Sequence, residues 1–355
     1  MSRKLGDMIA ESLERIVKDP KRMPHLLTTG EWPAELATEI QALELNLILV
    51  GESQGGASGG WQDAYSVLRL TGFHAIPLPV AEGMLAARIL STADVQPGPG
   101  TYTVATQVSG EWTKRTTGFH FSGELSAVPW GRHADYVLCV VSVDGNTLVC
   151  VLPKALARVS HACNLAGEPR DSLSFNEARA VTAIAGGAEA HELFEFSALA
   201  RLAQTAGSLA AALELSIDYA CQRKQFGQSI AKFQAVQQQV ALFGAEVAAV
   251  SCAVQAACAA ADLGAAGFQI AAAKLRANRA IGVGTAIAHQ VHGAVGLSQE
   301  YALHQLTRRL WSWRSEFGND RYWSEKIGAI VTRVGADRFW NELTAADDRV
   351  QKRRN

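Results

Sequence analysis

Apolar side chains at Phe233, Val236, Val240, Phe243, Val247, Val250 and Val254 recur at steps of three and four, the spacing that lines one face of an α-helix. Segments 191–220, 268–291, 299–316 and 321–345 carry helical patterns of their own, separated by Gly and Asn. Long helices with short connections predict an antiparallel bundle. Residues 1–97 also pattern as helices, interrupted at Trp32-Pro33 and in the glycine-rich run 51–60. Between these regions the period changes. Pro97-Gly-Pro-Gly100 signals a turn, and short runs rich in Val, Tyr and Thr follow at Tyr102–Val108, Gly118–Ser122, Tyr136–Val143 and Thr147–Leu152, the last two joined by Asp144-Gly145. Such runs, closed by a turn dipeptide, predict an antiparallel β domain. The expected fold class is α+β, mostly α: an N-terminal helical domain over 1–97, a central antiparallel β domain over 98–185 and a C-terminal helical bundle over 186–355.

Composition adds a constraint on surface. Of 355 residues, 48% are hydrophobic and 19% charged, against about 25% charged in a typical globular chain. Much surface is therefore expected to be hidden in a core or in subunit contacts. Seventeen of the forty residues 241–280 are Ala, the strongest helix former. Val247–Ala261 is uncharged but holds Ser251 and Gln255 and falls short of the roughly 20 apolar residues of a membrane span. The expectation is a buried helix and no membrane span. With Lys+Arg 33 against Asp+Glu 34 there is no basic excess, and nucleic acid is excluded as a partner. The stretch Met1–Asp19 alternates charges with Leu and Ile and has no apolar signal core, so a cytoplasmic protein is expected. Six cysteines without a CxxC pair and nine histidines without HxxxH or HExxH spacing predict reduced, buried thiols and no metal site.

Two short motifs invite chemistry and are read as structural. Gly51-Glu52-Ser53-Gln54-Gly55 follows the strand-like Leu47–Val50 and fits the G-x-S-x-G nucleophile elbow of α/β-hydrolases. Only fifty, mostly helical, residues precede it, where such an elbow needs parallel strands; a hydrolase using Ser53 is the remote alternative. Gly282-Val-Gly284 sits in a helical segment with Ile287 at the third glycine position, which does not make a dinucleotide loop. A more specific constellation is Tyr219-Ala-Cys-Gln-Arg223-Lys-Gln-Phe226-Gly227-Gln-Ser-Ile230-Ala-Lys-Phe233-Gln234. Here a helix ends at a basic residue, turns at Gly227 and restarts with Ser229 as candidate N-cap. An Arg at such a corner can grip a diphosphate, helped by the amides of the next helix.

These residues resemble the R-x-x-F-G turn of the acyl-CoA dehydrogenase family. A second block, His289-Gln290-Val-His292-Gly293-Ala-Val-Gly296-Leu-Ser-Gln-Glu300-Tyr301, followed by Arg308-Arg309, is similar to that family's Q-x-x-G-G-x-G segment. The two blocks lie about seventy residues apart, as the family's bundle requires, and the helical, β, helical order also matches. The resemblance implies a flavoprotein that dehydrogenates an acyl-CoA across its α and β carbons. A carboxylate takes the α proton while FAD accepts hydride from the β carbon. Carried over, Arg223, Gln225, Phe226, Ile230, Phe233, Gln290 and Gly293 would contact FAD, the arginine corner reaching the diphosphate of a neighbouring subunit. The resemblance further implies a homo- or heterotetramer, electron-transferring flavoprotein as acceptor, and a role in fatty-acid or steroid side-chain degradation.

Departures qualify that picture. Aligned on Gly318, the family's catalytic glutamate is Phe317 here, with Glu316 beside it. The base position of a second subgroup is Ser197, and the adjacent arginine is Ala198, with Arg201 one turn on. The loop that lines flavin and thioester is missing after Tyr102-Thr103-Val104-Ala105-Thr106, and the family's W-I-T segment aligns with Ala127-Val128-Pro129, beside Trp130. Either Glu316 is the base, in an apolar wall of Trp311, Trp313 and Phe317, or the chain is a non-catalytic partner subunit of a heteromeric acyl-CoA dehydrogenase that supplies part of the FAD site.

Overall fold

The computed structural model describes residues 5–18, 32–186 and 190–340. The chain forms two compact units, Met1–Gly59 with Ile76–Ser197 and Gly60–Ala75 with Ala198–Asn355. Four N-terminal helices come first in the described residues: α1 (Leu5–Val17), α2 (Ala34–Gln41), α3 (Trp61–Phe73) and α4 (Val80–Thr92). Of these α3 belongs to the second unit. Helix α4 starts directly after Pro79, whose missing N–H costs nothing at a helix start. It buries Met84, Leu85, Ile89 and Leu90.

Eight strands follow: β1 (Tyr102–Ala105), β2 (Val108–Arg115), β3 (Gly118–Pro129), β4 (Tyr136–Val143), β5 (Asn146–Pro153), β6 (Arg158–Ser160), β7 (Arg170–Arg179) and β8 (Thr182–Ala185). They make two four-stranded sheets, β1-β4-β5-β8 and β2-β3-β7-β6. Phe121, Leu125, Val137, Cys139, Cys150, Leu173 and Phe175 belong to one buried core drawn from both sheets. The β4–β5 hairpin closes through Asp144 and Gly145, both at positive φ (51° and 78°), the conformation that an Asp-Gly turn favours. Its register brings Cys139 opposite Cys150.

Three expectations about strands need correction. The β domain is not wholly antiparallel, because β1 runs parallel to β4. Tyr102–Val108 is not one strand: it divides at Thr106-Gln107 into β1 and β2. Leu47–Val50 is no strand either. It forms the end of a short 3₁₀ turn and the bends after it, and Ile48 and Val50 are buried there. A short apolar run is ambiguous by pattern alone, and here it is a core-facing turn.

The remaining helices are α5 (Ala190–Gln222), α6 (Gln234–Asp262), α7 (Gly267–His292), α8 (Leu303–Ser315) and α9 (Asp320–Val334), with a small hairpin of β9 (Lys224–Gln225) and β10 (Gln228–Ser229) between α5 and α6. In the second unit α6 packs along α7 and α3, and α7 also contacts α8 and α9. Close approach needs small residues. A Cβ on Gly284 would meet the ring of Phe243, and one on Gly72 or Gly207 would overlap the backbone of Gln204 or Arg69. Gly284 is thus a packing glycine. The expectation that Val247–Ala261 lies in a buried helix is corrected: only 22% of the most apolar stretch of α6 is buried. Its inward stripe of Phe243, Val250 and Val254 is covered, while Leu242 is 51% exposed. By length and composition alone this is the one described helix that could cross a membrane.

Candidate functional site

A buried polar cluster lies at the end of α8. Helix α5 presents Arg201, whose side chain is 4% exposed, with its Nε 3.1 Å from Glu316 Oε2 in an ion pair. Arg201 Nη1 donates to Gln204 Oε1 at 2.6 Å, and Gln204 Nε2 donates to Thr71 Oγ1 at 3.1 Å. The guanidinium also lies 5.1 Å from the Trp313 ring centre and 5.9 Å from that of Phe317, attractive cation–π contacts. Glu316 follows the last residue of α8 in extended conformation; Phe317 and Gly318 then turn through positive φ, 52° and 97°. Trp323 Nε1 donates to Phe317 O at 3.0 Å and pins this turn. The apolar wall expected around Glu316 is therefore present in Trp313 and Phe317, but the carboxylate already serves as counter-ion to Arg201. Trp311, the third expected member, is 42% exposed, with the Arg314 guanidinium 5.6 Å from its ring.

Sequence reasoning missed Lys274. It is 3% exposed and donates from Nζ to Trp313 O at 2.7 Å and Arg314 O at 3.3 Å. Burial pushes its pKa down to about 7, opposed by Glu316. The signal was available: Lys274 falls at helical spacing from Ile270, Ala277 and Ile281, all buried, so a cation occupies a core position.

The second constellation forms a corner. Beyond α5, Phe226 and Gly227 take positive φ, 50° and 79°, and close the hairpin that pairs Gln228 with Gln225 and Ser229 with Lys224. Ile230 N donates to Arg223 O at 2.9 Å, and the Phe226 and Phe233 rings meet edge to face at 6.2 Å. Arg223, Gln225, Phe226, Ile230 and Phe233 are thus brought together. Ser229 is an N-cap, accepting from Ala231 N at 3.3 Å, although it caps a 3₁₀ turn (Ile230–Lys232) and the long helix restarts only at Gln234. Gln290 and Gly293 lie at the end of α7. Tyr219, one turn before Arg223, stacks on His292 at 4.6 Å, and His292 Nε2 is 3.2 Å from Tyr301 Oη. The two sequence blocks therefore meet at one end of the bundle. Gly293 has φ 61° with nothing within 4 Å of a Cβ position, and Phe226 is 91% exposed. This open, outward-facing edge with a basic side chain fits the diphosphate end of a dinucleotide cofactor.

The β domain offers less. The β1–β2 connection is only Thr106-Gln107. Thr103 Oγ1 donates to Pro129 O at 2.5 Å, and Trp130 is 7% exposed, edge-on to Trp32 at 6.1 Å. Ser53 lies in a 3₁₀ turn, Glu52–Gln54, not on a strand-to-helix elbow, which removes the hydrolase alternative. Ser197 donates to Leu193 O at 2.7 Å and is 1% exposed. Among the described residues no cluster of three or more His, Cys, Asp or Glu could hold a metal ion.

Residues 175–330 match the acyl-CoA dehydrogenase C-terminal domain. Over these residues the chain is similar to that domain, and its fold is similar to those of solved acyl-CoA dehydrogenases. In solved structures it is similar to the ChsE4–ChsE5 complex from Mycobacterium tuberculosis, with TM-score 0.86 and 21% identity over 95% of this chain and 99% of that one. It is also similar to butyryl-CoA dehydrogenase from Megasphaera elsdenii (TM-score 0.77, 17% identity, 93% and 99% covered). It is similar as well to PigA, solved with FAD and proline (TM-score 0.79, 18% identity, 94% and 100% covered). A curated relative, 3-sulfinopropanoyl-CoA desulfinase from Paraburkholderia xenovorans (strain LB400), is 36% identical over 97 residues, 27% of this chain and 25% of that protein's length.

Proposed function

We propose that the chain takes part in FAD-dependent α,β-dehydrogenation of an acyl-CoA thioester to the 2-enoyl-CoA. The observation that carries this reading is the meeting of the Arg223 corner and the Gly293 turn through the Tyr219–His292 stack. Bound FAD supplies the acceptor for the hydride that leaves the β carbon. Arg223 would grip its diphosphate as a two-pronged donor, Gln225 and Gln290 would donate hydrogen bonds, and Phe226, Ile230 and Phe233 would give apolar contact. The backbone at Gly293 leaves room for close approach. Because this edge faces outward from the protomer, the reading includes a neighbouring subunit, either a second copy or a related acyl-CoA dehydrogenase chain, with electron-transferring flavoprotein as acceptor and a fatty-acyl or steroid side-chain substrate. Glu316 would take the α proton, exchanging Arg201 for the thioester substrate.

One observation favours a second reading. With only Thr106-Gln107 between β1 and β2, this chain has no loop there to lie against a flavin and a thioester. It would then be a non-catalytic partner subunit that supplies part of the FAD site to a related catalytic chain. Purification alone and after co-expression with a related subunit, followed by visible spectra, separates the two. One flavin per chain in the lone protein, bleached by acyl-CoA, is expected for the first reading. Flavin only in the co-expressed complex is expected for the second, and absence of flavin from both preparations would sink each of them.

A further inference from the structure

We infer that Lys274 is a positioning residue: from α7 it fastens the C-terminal end of α8 and so holds Glu316 beside Arg201. Only the catalytic consequence of this inference rests on the reading of Glu316 as the base. The last carbonyls of a helix have no partner within it. Helix α8 does not end on a glycine cap; Glu316 follows at φ −66° and ψ 140°, and the left-handed Phe317 and Gly318 come after. The donors that α8 lacks come from Lys274, at Trp313 O (2.7 Å) and Arg314 O (3.3 Å). An ammonium there also meets the negative end of the helix dipole.

The groups around Lys274 form one electrostatic unit. Arg201 comes from α5, Glu316 from the turn, and Asp320 from α9. Asp320 in turn accepts from Asn278 Nδ2 of α7 and Arg314 Nη2 of α8, both at 2.8 Å. Burial depresses the lysine most; Glu316 opposes it, Arg201 adds to it, and Asp320 opposes it, leaving a pKa of about 7. Lys274 therefore exchanges its proton in the neutral range, where it passes from a charged donor to a neutral amine. A mere spacer at this site would need no nitrogen, since methionine fills the same volume.

The test uses the full chain with lysine labelled by carbon-13 at its ε position; it needs no flavin. One lysine signal should titrate near pH 7, vanish in Lys274→Met and move to lower pH in Glu316→Gln, because the carboxylate that favours the ammonium is gone. In the flavin-loaded assembly, Lys274→Met should slow flavin bleaching by acyl-CoA roughly tenfold or more, with half-saturation unchanged, as misplacement of a reacting group does. If Lys274→Met does not fold, Lys274→Gln, which keeps donors without charge, replaces it. A lysine signal indifferent to Glu316→Gln would overturn the inference, as would unchanged bleaching in Lys274→Met where Glu316→Gln abolishes bleaching. Wild-type bleaching in Glu316→Gln with the lysine signal still displaced supports the positioning and overturns the base reading instead.

Discussion

Asp171 is the plainest case of a single side chain on which a unit depends. Its carboxylate is fully buried and paired with Arg132 at 2.6 Å, and it also accepts from the backbone of Arg132 at 2.7 Å and Ala162 at 3.2 Å. Burial alone would raise its pKa, but the Arg132 side chain and the two amides outweigh burial and hold it below the ordinary value. Such a group contributes stability that is fully present above the unfolded pKa of about 3.9 and is lost as pH falls through the lower, folded value. Asp171→Asn should cost about 3–5 kcal/mol in urea unfolding at pH 7, the usual cost of leaving a buried partner unpaired, and the gap to wild type should narrow below about pH 4. An equal gap at pH 7 and pH 3 would contradict this. Site residues differ in how far they could be read beforehand. The hairpin corner after Arg223 and the turn at Gly293 were legible because they stand in local patterns. The pairing of Arg201 with Glu316 was not, because residues 115 positions apart meet only when α5 and α8 pack.

At the scale of elements, two glycine crossings decide how α3 meets α5. Gly72 lies against the backbone of Gln204, and Gly207 against that of Arg69. A backbone carbonyl cannot turn aside as a side chain can, so Gly72→Ala or Gly207→Ala should destabilise by about 3 kcal/mol. Gly328 in α9 is the control. It is exposed with nothing within 4 Å, and Gly328→Ala should stabilise by about 0.8–1 kcal/mol through helix propensity. Thermal unfolding of the three variants checks both signs; a neutral Gly207→Ala would refute the crossing. The long helices were readable to within a few residues, because a helix repeats its signal over many turns. Strands β6, β7 and β8 were not. In β7 the buried Leu173, Phe175 and Ala178 alternate with polar residues through a register shift, and a bulged strand breaks the two-residue period that a pattern search needs.

For the whole molecule, the low charge fraction now has a place. Phe226, Leu242 and Leu297 are 91%, 51% and 69% exposed in the protomer, and α6 leaves most of its apolar length uncovered. Association is the expected outcome: the wild-type chain should elute above 37.9 kDa, and Leu242→Glu should shift it toward the monomer, whereas a stable wild-type monomer would refute the expectation. The order of helices, strands and helices, the β4–β5 turn and the likeness of residues 175–330 to the acyl-CoA dehydrogenase C-terminal domain were all determined by the sequence alone, because each rests on residues near one another in the chain. Only the tertiary structure decided that Leu47–Val50 is a turn, that Ser53 lies in a 3₁₀ turn, that α6 is largely uncovered and that Glu316 is tied to Arg201. These depend on which distant segments displace water from each buried group, and a desolvated charge or apolar face finds its partner through space rather than along the chain.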